Sequence, residues 1–113
     1  MERISIKIPQ NNSYQKSLRL FVAGLGSDLN FNIEQIEDLK VLLSEAINYK
    51  MGKDGLDLAF LVGDDSLSIE VVGQDKKSDA KALAMRDGIL SALADEIETE
   101  GDILRITMRN THA

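Results

Sequence analysis

A chain of 113 residues, 43% of them hydrophobic and 28% charged, has the size and composition of one soluble globular domain. A net charge of −6 argues against a basic duplex-binding face, the lack of cysteine rules out disulfides and thiol chemistry, and the single histidine, His112, argues against a Ser-His-Asp triad or a multi-histidine metal site. No apolar run approaches the ~20 residues of a membrane span, and Met1-Glu2-Arg3-Ile4-Ser5 alternates at once where a signal peptide would have an apolar core. The cytoplasm is therefore the expected compartment.

Ile4, Ile6 and Ile8 alternate with Arg3, Ser5 and Lys7 and stop at Pro9, the pattern of a half-buried strand. Residues 10–13 read as a polar turn. From Ser13 to about Asp28 the period lengthens, and Leu18, Phe21, Val22 and Leu25 share one side of a helix, with Tyr14 a turn earlier. Gly24 and Gly26 weaken its last turn, and Asn30 is expected just beyond it. Asn32, with Gln35 three residues on, marks the cap of a second helix. Its apolar stripe is Ile33, Ile36, Leu39, Leu43, Ala46 and Ile47, with Lys50 in the last turn and Gly52 just past it.

After the turn Lys53-Asp54-Gly55, two alternating runs, Leu56 to Val62 and Leu67 to Val71, flank Gly63-Asp64-Asp65-Ser66 and predict a hairpin. A short charged stretch, 74–78, precedes a third helix expected from about Asp79 to Glu98, striped by Leu83, Ile89, Leu90, Leu93, Ala94 and Ile97. Gly101-Asp102 turns into a last strand through Leu104, Ile106 and Met108.

The order β-α-α-β-β-α-β predicts an α/β (α+β) two-layer sandwich over residues 1–110, with 111–113 as a tail. A four-stranded mixed or antiparallel sheet carries three helices on one face. The other face, with Arg3, Ser5, Lys7, Glu70, Arg105 and Thr107, is mostly polar and can be left in water.

The stretch Tyr14 to Ala46, YQKSLRLFVAGLGSDLNFNIEQIEDLKVLLSEA, carries Arg19-Leu20, then Ile36-Glu37-Asp38-Leu39-Lys40, then Ser44-Glu45-Ala46. With the strand ending at Pro9, it resembles the N-terminal part of the bacterial anti-sigma factor/serine-protein kinase family, within the histidine-kinase-like ATPase superfamily. Ile89-Leu90-x-x-Leu93-Ala94-Asp95-Glu96-Ile97 is similar to that family's closing helix. The resemblance implies the superfamily's two-layer fold and three places where an ATP site would lie. In the first, a Glu-x-x-x-Asn pair on the second helix, Glu45 stands as the catalytic candidate. Tyr49 occupies the asparagine position, and Asn48 is the nearest amide that could hold magnesium beside the phosphates. In the second, an Asp-x-Gly-x-Gly motif after the third strand, the chain reads Val72-Gly73-Gln74-Asp75-Lys76, which leaves Asp75 as the adenine-side candidate without its glycines. In the third, a lid and glycine loop that cradle phosphates, only Gly88 of Leu83-Ala84-Met85-Arg86-Asp87-Gly88 remains, and the connection that should carry both is only about five residues, 74–78.

The resemblance further implies that Tyr14 and Arg19 on the first helix belong to a partner-binding and dimer surface. A planar, always-charged guanidinium on the flank of an apolar stripe suits that role. The favoured expectation is an anti-sigma-factor-like regulator that works by protein–protein binding, as a possible homodimer. Its nucleotide site is degenerate, it has no resident cofactor or metal, and its partner is a sigma factor or an anti-sigma antagonist. The alternative is a minimal serine-protein kinase that uses ATP and magnesium. Neither binds nucleic acid or a membrane directly.

Overall fold

A computed structural model of the chain describes residues 1–9, 14–51, 55–75 and 80–110. The expected turn at 10–13, positions 52–54 of the turn after the second helix, the stretch 76–79 and the tail 111–113 lie outside the described residues. Elements run in the order β1 (Glu2–Ile8), α1 (Gln15–Asp28), α2 (Ile33–Asn48), β2 (Lys50–Met51), β3 (Leu56–Val62), β4 (Ser66–Val72), β5 (Gln74–Asp75), α3 (Ala80–Leu93), β6 (Glu96–Glu100) and β7 (Ile103–Arg109).

The main sheet has five strands in the order β1-β3-β4-β7-β6, every neighbouring pair antiparallel, and β2 pairs with β5 in a separate two-stranded ribbon. Helices on one face and a polar opposite face make the two-layer sandwich of the histidine-kinase-like ATPase type. The sheet has five strands where four were expected, because the third helix stops at Leu93 and does not continue to Glu98. Glu96–Glu100 becomes a strand instead, with Ile97 opposite Ile106 and Glu98 opposite Arg105.

Strand alternation builds the core. Leu56, Leu58 and Phe60 of β3, Leu67, Ile69 and Val71 of β4, and Leu104, Ile106 and Met108 of β7 all point to the helical layer and are buried. Phe21 of α1 meets Phe60 edge-on, with ring centroids 5.2 Å apart. On the opposite face Ser68 and Thr107 share a buried hydroxyl hydrogen bond of 2.7 Å. Glu70 is buried between Arg3 and Arg105, at 3.1 and 2.9 Å. This face therefore differs from a surface simply left in water: long arginines lie across it and cover a small-residue and carboxylate layer.

Helix ends follow local chemistry. Asn32 accepts from the Gln35 backbone N–H at 2.8 Å, and the Gln35 side chain accepts from the Asn32 N–H, which completes the capping box. Asn30 takes φ of 61°, the left-handed turn that lets α1 break sharply into α2. Gly26 does more than weaken a helix end. A Cβ there would lie 2.9 Å from Leu39 and 3.3 Å from Ile36, so its absence lets α1 and α2 close on one another. Two details of α2 depart from the expected stripe. Ile33 is exposed and Leu42 is buried in its stead, and Lys50 lies past the helix end, in β2.

Candidate functional site

The sequence candidates fall into two neighbourhoods on either side of α2. Arg19 projects from α1 toward α2 and donates to the Ser44 hydroxyl at 3.3 Å. Around it lies a depression of about 340 Å³ lined by Arg19, Glu37, Lys40, Val41, Ser44 and Glu45. Helical spacing puts Glu37, Lys40, Val41, Ser44 and Glu45 on successive turns of one side of α2. Glu37 and Lys40 pair at 2.8 Å along its rim. Leu20, beside Arg19, and Val41 expose apolar side chains to solvent, as Tyr14 does at the start of α1. Arg19 and Glu45, which the sequence assigns to different roles, thus share one groove.

Asn48 ends α2 on the α1 side, where its carbonyl accepts from the Gln15 amide at 2.8 Å. Asp75 lies in different surroundings. One of its oxygens, Oδ1, accepts from Arg86 of α3 at 2.8 Å and pairs with Lys50 of β2 at 3.1 Å. Arg86 also reaches Asp87 through Nε at 3.0 Å, and its guanidinium stands 6.0 Å from the centre of the Tyr49 ring. The bond from Arg86 holds the Asp75 carboxyl below the usual aspartate range, against the upward push of burial. Burial works against the Arg86 charge too, but the bonds from Asp75 and Asp87 outweigh it and hold its pKa above the ordinary value. The structure does not bring Glu45, Asn48 and Asp75 together: one lines the α1–α2 groove, one is bonded to α1, and one sits in the ion cluster by α3.

Arg86 and Lys50 were missed as site residues. A pattern built on apolar side chains cannot flag a buried cation, yet position 86 falls on the stripe, three residues after Leu83 and four before Leu90. Beside this cluster is a cavity of about 410 Å³, floored by Leu90, Ile97 and Leu104 and bordered by Ser91 and Thr99. Among the described residues, no three His, Cys, Asp or Glu side chains are grouped so as to hold a metal ion, and no helix is long and apolar enough to cross a membrane.

The sheet order, the helical layer and the α2 motif define a protein of the histidine-kinase-like ATPase class. Within that class, similarity to named proteins is specific. The chain is 37% identical over 91 residues to serine-protein kinase RsbW of Bacillus pumilus, which covers 72% of this chain and 56% of that protein. It is 32% identical over 77 residues to the RsbW of Listeria monocytogenes, 62% of this chain and 49% of the relative. It is 28% identical over 92 residues to that of Oceanobacillus iheyensis, 75% and 58% respectively. No family model matches. The chain belongs to the bacterial anti-sigma factor/serine-protein kinase family, and it spans about half the length of the curated relatives it matches.

Proposed function

We propose that this protein is a regulatory member of its family that acts by binding another protein, a sigma factor or its antagonist, through the groove between α1 and α2. The observation that carries this reading is the groove itself. A guanidinium that donates to Ser44 lines one groove with the exposed Val41, a combination of planar cation and apolar surface that suits a binding anchor. The chain's charge of −6 would speed its encounter with a basic partner more than it adds to affinity. Self-association through α1 and a cytoplasmic location go with this reading.

The residues present do not fit magnesium-ATP. Tyr49, at the aligned asparagine position, offers a phenol beside Arg86 where a hard cation needs an amide carbonyl. Asp75 is held by two cations, and Glu45 and Asn48 lie on the α1 side. Residues 73–79 between β4 and α3 replace the longer lid and glycine loop of the family. The alternative, a serine-protein kinase that phosphorylates an anti-sigma antagonist, is favoured by one observation, the similarity to relatives named serine-protein kinases.

Affinity capture from the native cell, with captured proteins identified by mass spectrometry, tests the proposal. Arg19→Ala should weaken capture of a sigma factor or antagonist by about 1–3 kcal/mol, or roughly 5- to 150-fold. Asp75→Asn, on the other side of α2, should leave it unchanged. Glu45→Gln is unsuited as the neutral control because Glu45 lines the same groove. Equal capture by wild type and Arg19→Ala would remove the groove from the account, and phosphate transfer from ATP to a captured protein would establish the alternative.

A further inference from the structure

We propose that the two outer edges of the main sheet are complementary, so that β1 of a second copy of this chain adds in parallel to β6 and copies join head to tail. The inference does not rest on partner capture by the α1–α2 groove. β1 and β6 end the strand order, and among the described residues neither has a neighbour on its outer side. An open edge is a row of backbone donors and acceptors ready for another strand. The hydrogen-bond phase shows which residues supply them. Gly63 N–H bonds the Ser66 carbonyl at 2.9 Å, so odd-numbered residues of β3 bond to β4 and even-numbered ones to β1. Ile4 and Ile6 are therefore engaged with β3, and Arg3, Ser5 and Lys7 turn their N–H and C=O groups outward. At the other edge the Thr107 carbonyl accepts from Asp95 N–H at 2.9 Å, and Arg109 N–H donates to the Asp95 carboxylate at 2.6 Å. Odd-numbered residues of β7 thus face β6 and engage Glu96, Glu98 and Glu100, which leaves the backbone groups of Ile97 and Thr99 outward.

Like edges repel. An antiparallel β1–β1 contact sets Arg3 against Lys7, and a β6–β6 contact sets glutamates against one another. Unlike edges fit in direction, face and charge. Every neighbouring pair is antiparallel, so across five strands β1 and β6 run the same way. A second copy in the same orientation brings its β1 alongside β6 in parallel, with both helical layers on one face. Parallel pairing sets a residue with outward groups opposite one with inward groups, as the two edges require. Ser5 then lies opposite Glu98, Arg3 opposite Glu96 and Lys7 opposite Glu100. The Ile97 and Thr99 amides donate to the Arg3 and Ser5 carbonyls, and their own carbonyls accept from Ser5 and Lys7. Arg3 and Glu96 already pair with Glu70 and Arg109, so Lys7 against Glu100 is the new charge contact. Ile4, Ile6 and Ile97, each half-buried in the single chain, meet on the helical side. An antiparallel approach with the same backbone bonds would set Arg3 and Lys7 on the side of Ile97 and throw the two helical layers to opposite faces.

Sedimentation velocity of the full chain at low salt tests this. So short a strand contact falls below the ~1,000 Å² of a stable interface, so growth in size should begin only above roughly 0.1 mM. A contact between unlike edges does not close on itself, so growth should continue with concentration, and about 0.5 M salt should reduce it. Ser5→Pro and Thr99→Pro each remove an outward N–H without touching the bonds to β3 or β7, and each should stop growth. Their equimolar mixture should regain one added step, because the first keeps an open β6 and the second an open β1. A symmetric contact, such as one through α1, gives no such rescue. If either proline variant does not fold, Lys7→Glu and Glu100→Lys serve: each alone should stop growth, and the two mixed should restore it. The proposal is overturned if wild type does not grow with concentration up to about 1 mM, well above that onset, if the edge variants grow as wild type does, or if neither mixture exceeds its components.

Discussion

The two sides of α2 use charge in opposite ways. On the α1 side, Arg19 lines a shallow groove and donates to Ser44, while Val41 in the same groove is 43% exposed. On the α3 side, Arg86 and Lys50 are turned inward, packed under the chain and matched to Asp75 and Asp87. A cation whose donors are already engaged in a buried cluster contributes to holding elements together. A cation at a solvent-facing groove with apolar neighbours has its interaction energy still available to a partner. On the proposed reading, the groove side is left for recognition of a protein and the α3 side serves internal cohesion.

The largest expected effect on stability follows from exchanging the two arginines. Arg86→Ala removes the link between α3 and the β2–β5 ribbon and takes from Asp75 its closer cation. It should cost about 2–3 kcal/mol in urea denaturation, below the full value for a buried pair because Asp75 and Asp87 are partly solvated. Arg19→Ala should cost less than about 0.5 kcal/mol, since it faces a surface groove. Equal losses at the two sites would erase the distinction between them.

Acid sharpens it further. Burial raises the Glu70 carboxyl, but hydrogen bonds from Arg105 and Arg3 outweigh that and set it below the ordinary glutamate value of 4.5. Asp75 is likewise set below 3.8 by its bond from Arg86. For both, the unfolded chain takes up the proton first as pH falls. Their contribution is therefore present above those ordinary values and is lost as pH drops through the lower folded-state values. Stability measured by denaturation from pH 5 down to pH 2 should fall less steeply in Glu70→Gln and Asp75→Asn than in wild type. Arg19→Ala should follow the wild-type slope. A Glu70→Gln profile parallel to wild type would show that the arginines do not hold the carboxylate charged.

The smallest effect separates two glycines of α1. Nothing lies within 4 Å of a Cβ built on Gly24, so Gly24→Ala should stabilise the fold by about 0.5–1 kcal/mol through helix propensity. Gly26→Ala, pressed against Leu39 and Ile36, should gain less or lose stability. Thermal unfolding of both variants decides. A gain at Gly26 equal to that at Gly24 would mean that α1 and α2 can part without cost, and the Arg19 groove would lose its fixed shape.

Much of the fold was legible where local chemistry and periodicity agree. Alternation located β1, β3, β4 and β7, and Asn32 with Gln35 located the start of α2 to the residue. The end of α3 was not legible. Leu93, Ala94 and Ile97 continue a helical stripe, while Glu96-Ile97-Glu98-Thr99-Glu100 alternates like a strand, and only pairing with β7 decides between the two. Lys50 and Arg86 were invisible for a related reason: their burial is stabilised by Asp75, which only the pairing of β2 with β5 and the packing of α3 bring to both. The meeting of Arg19 with Glu45 depends on how closely two helices approach, and Gly26 permits that approach in a way that no spacing along the chain announces.

The central claim, that this member of a kinase family works by binding a protein without using ATP, meets its most direct test in calorimetric titration of the chain with ATP and magnesium. The account predicts no saturable heat at micromolar nucleotide. A 1:1 isotherm with micromolar affinity that requires magnesium and disappears in Glu45→Gln would contradict it.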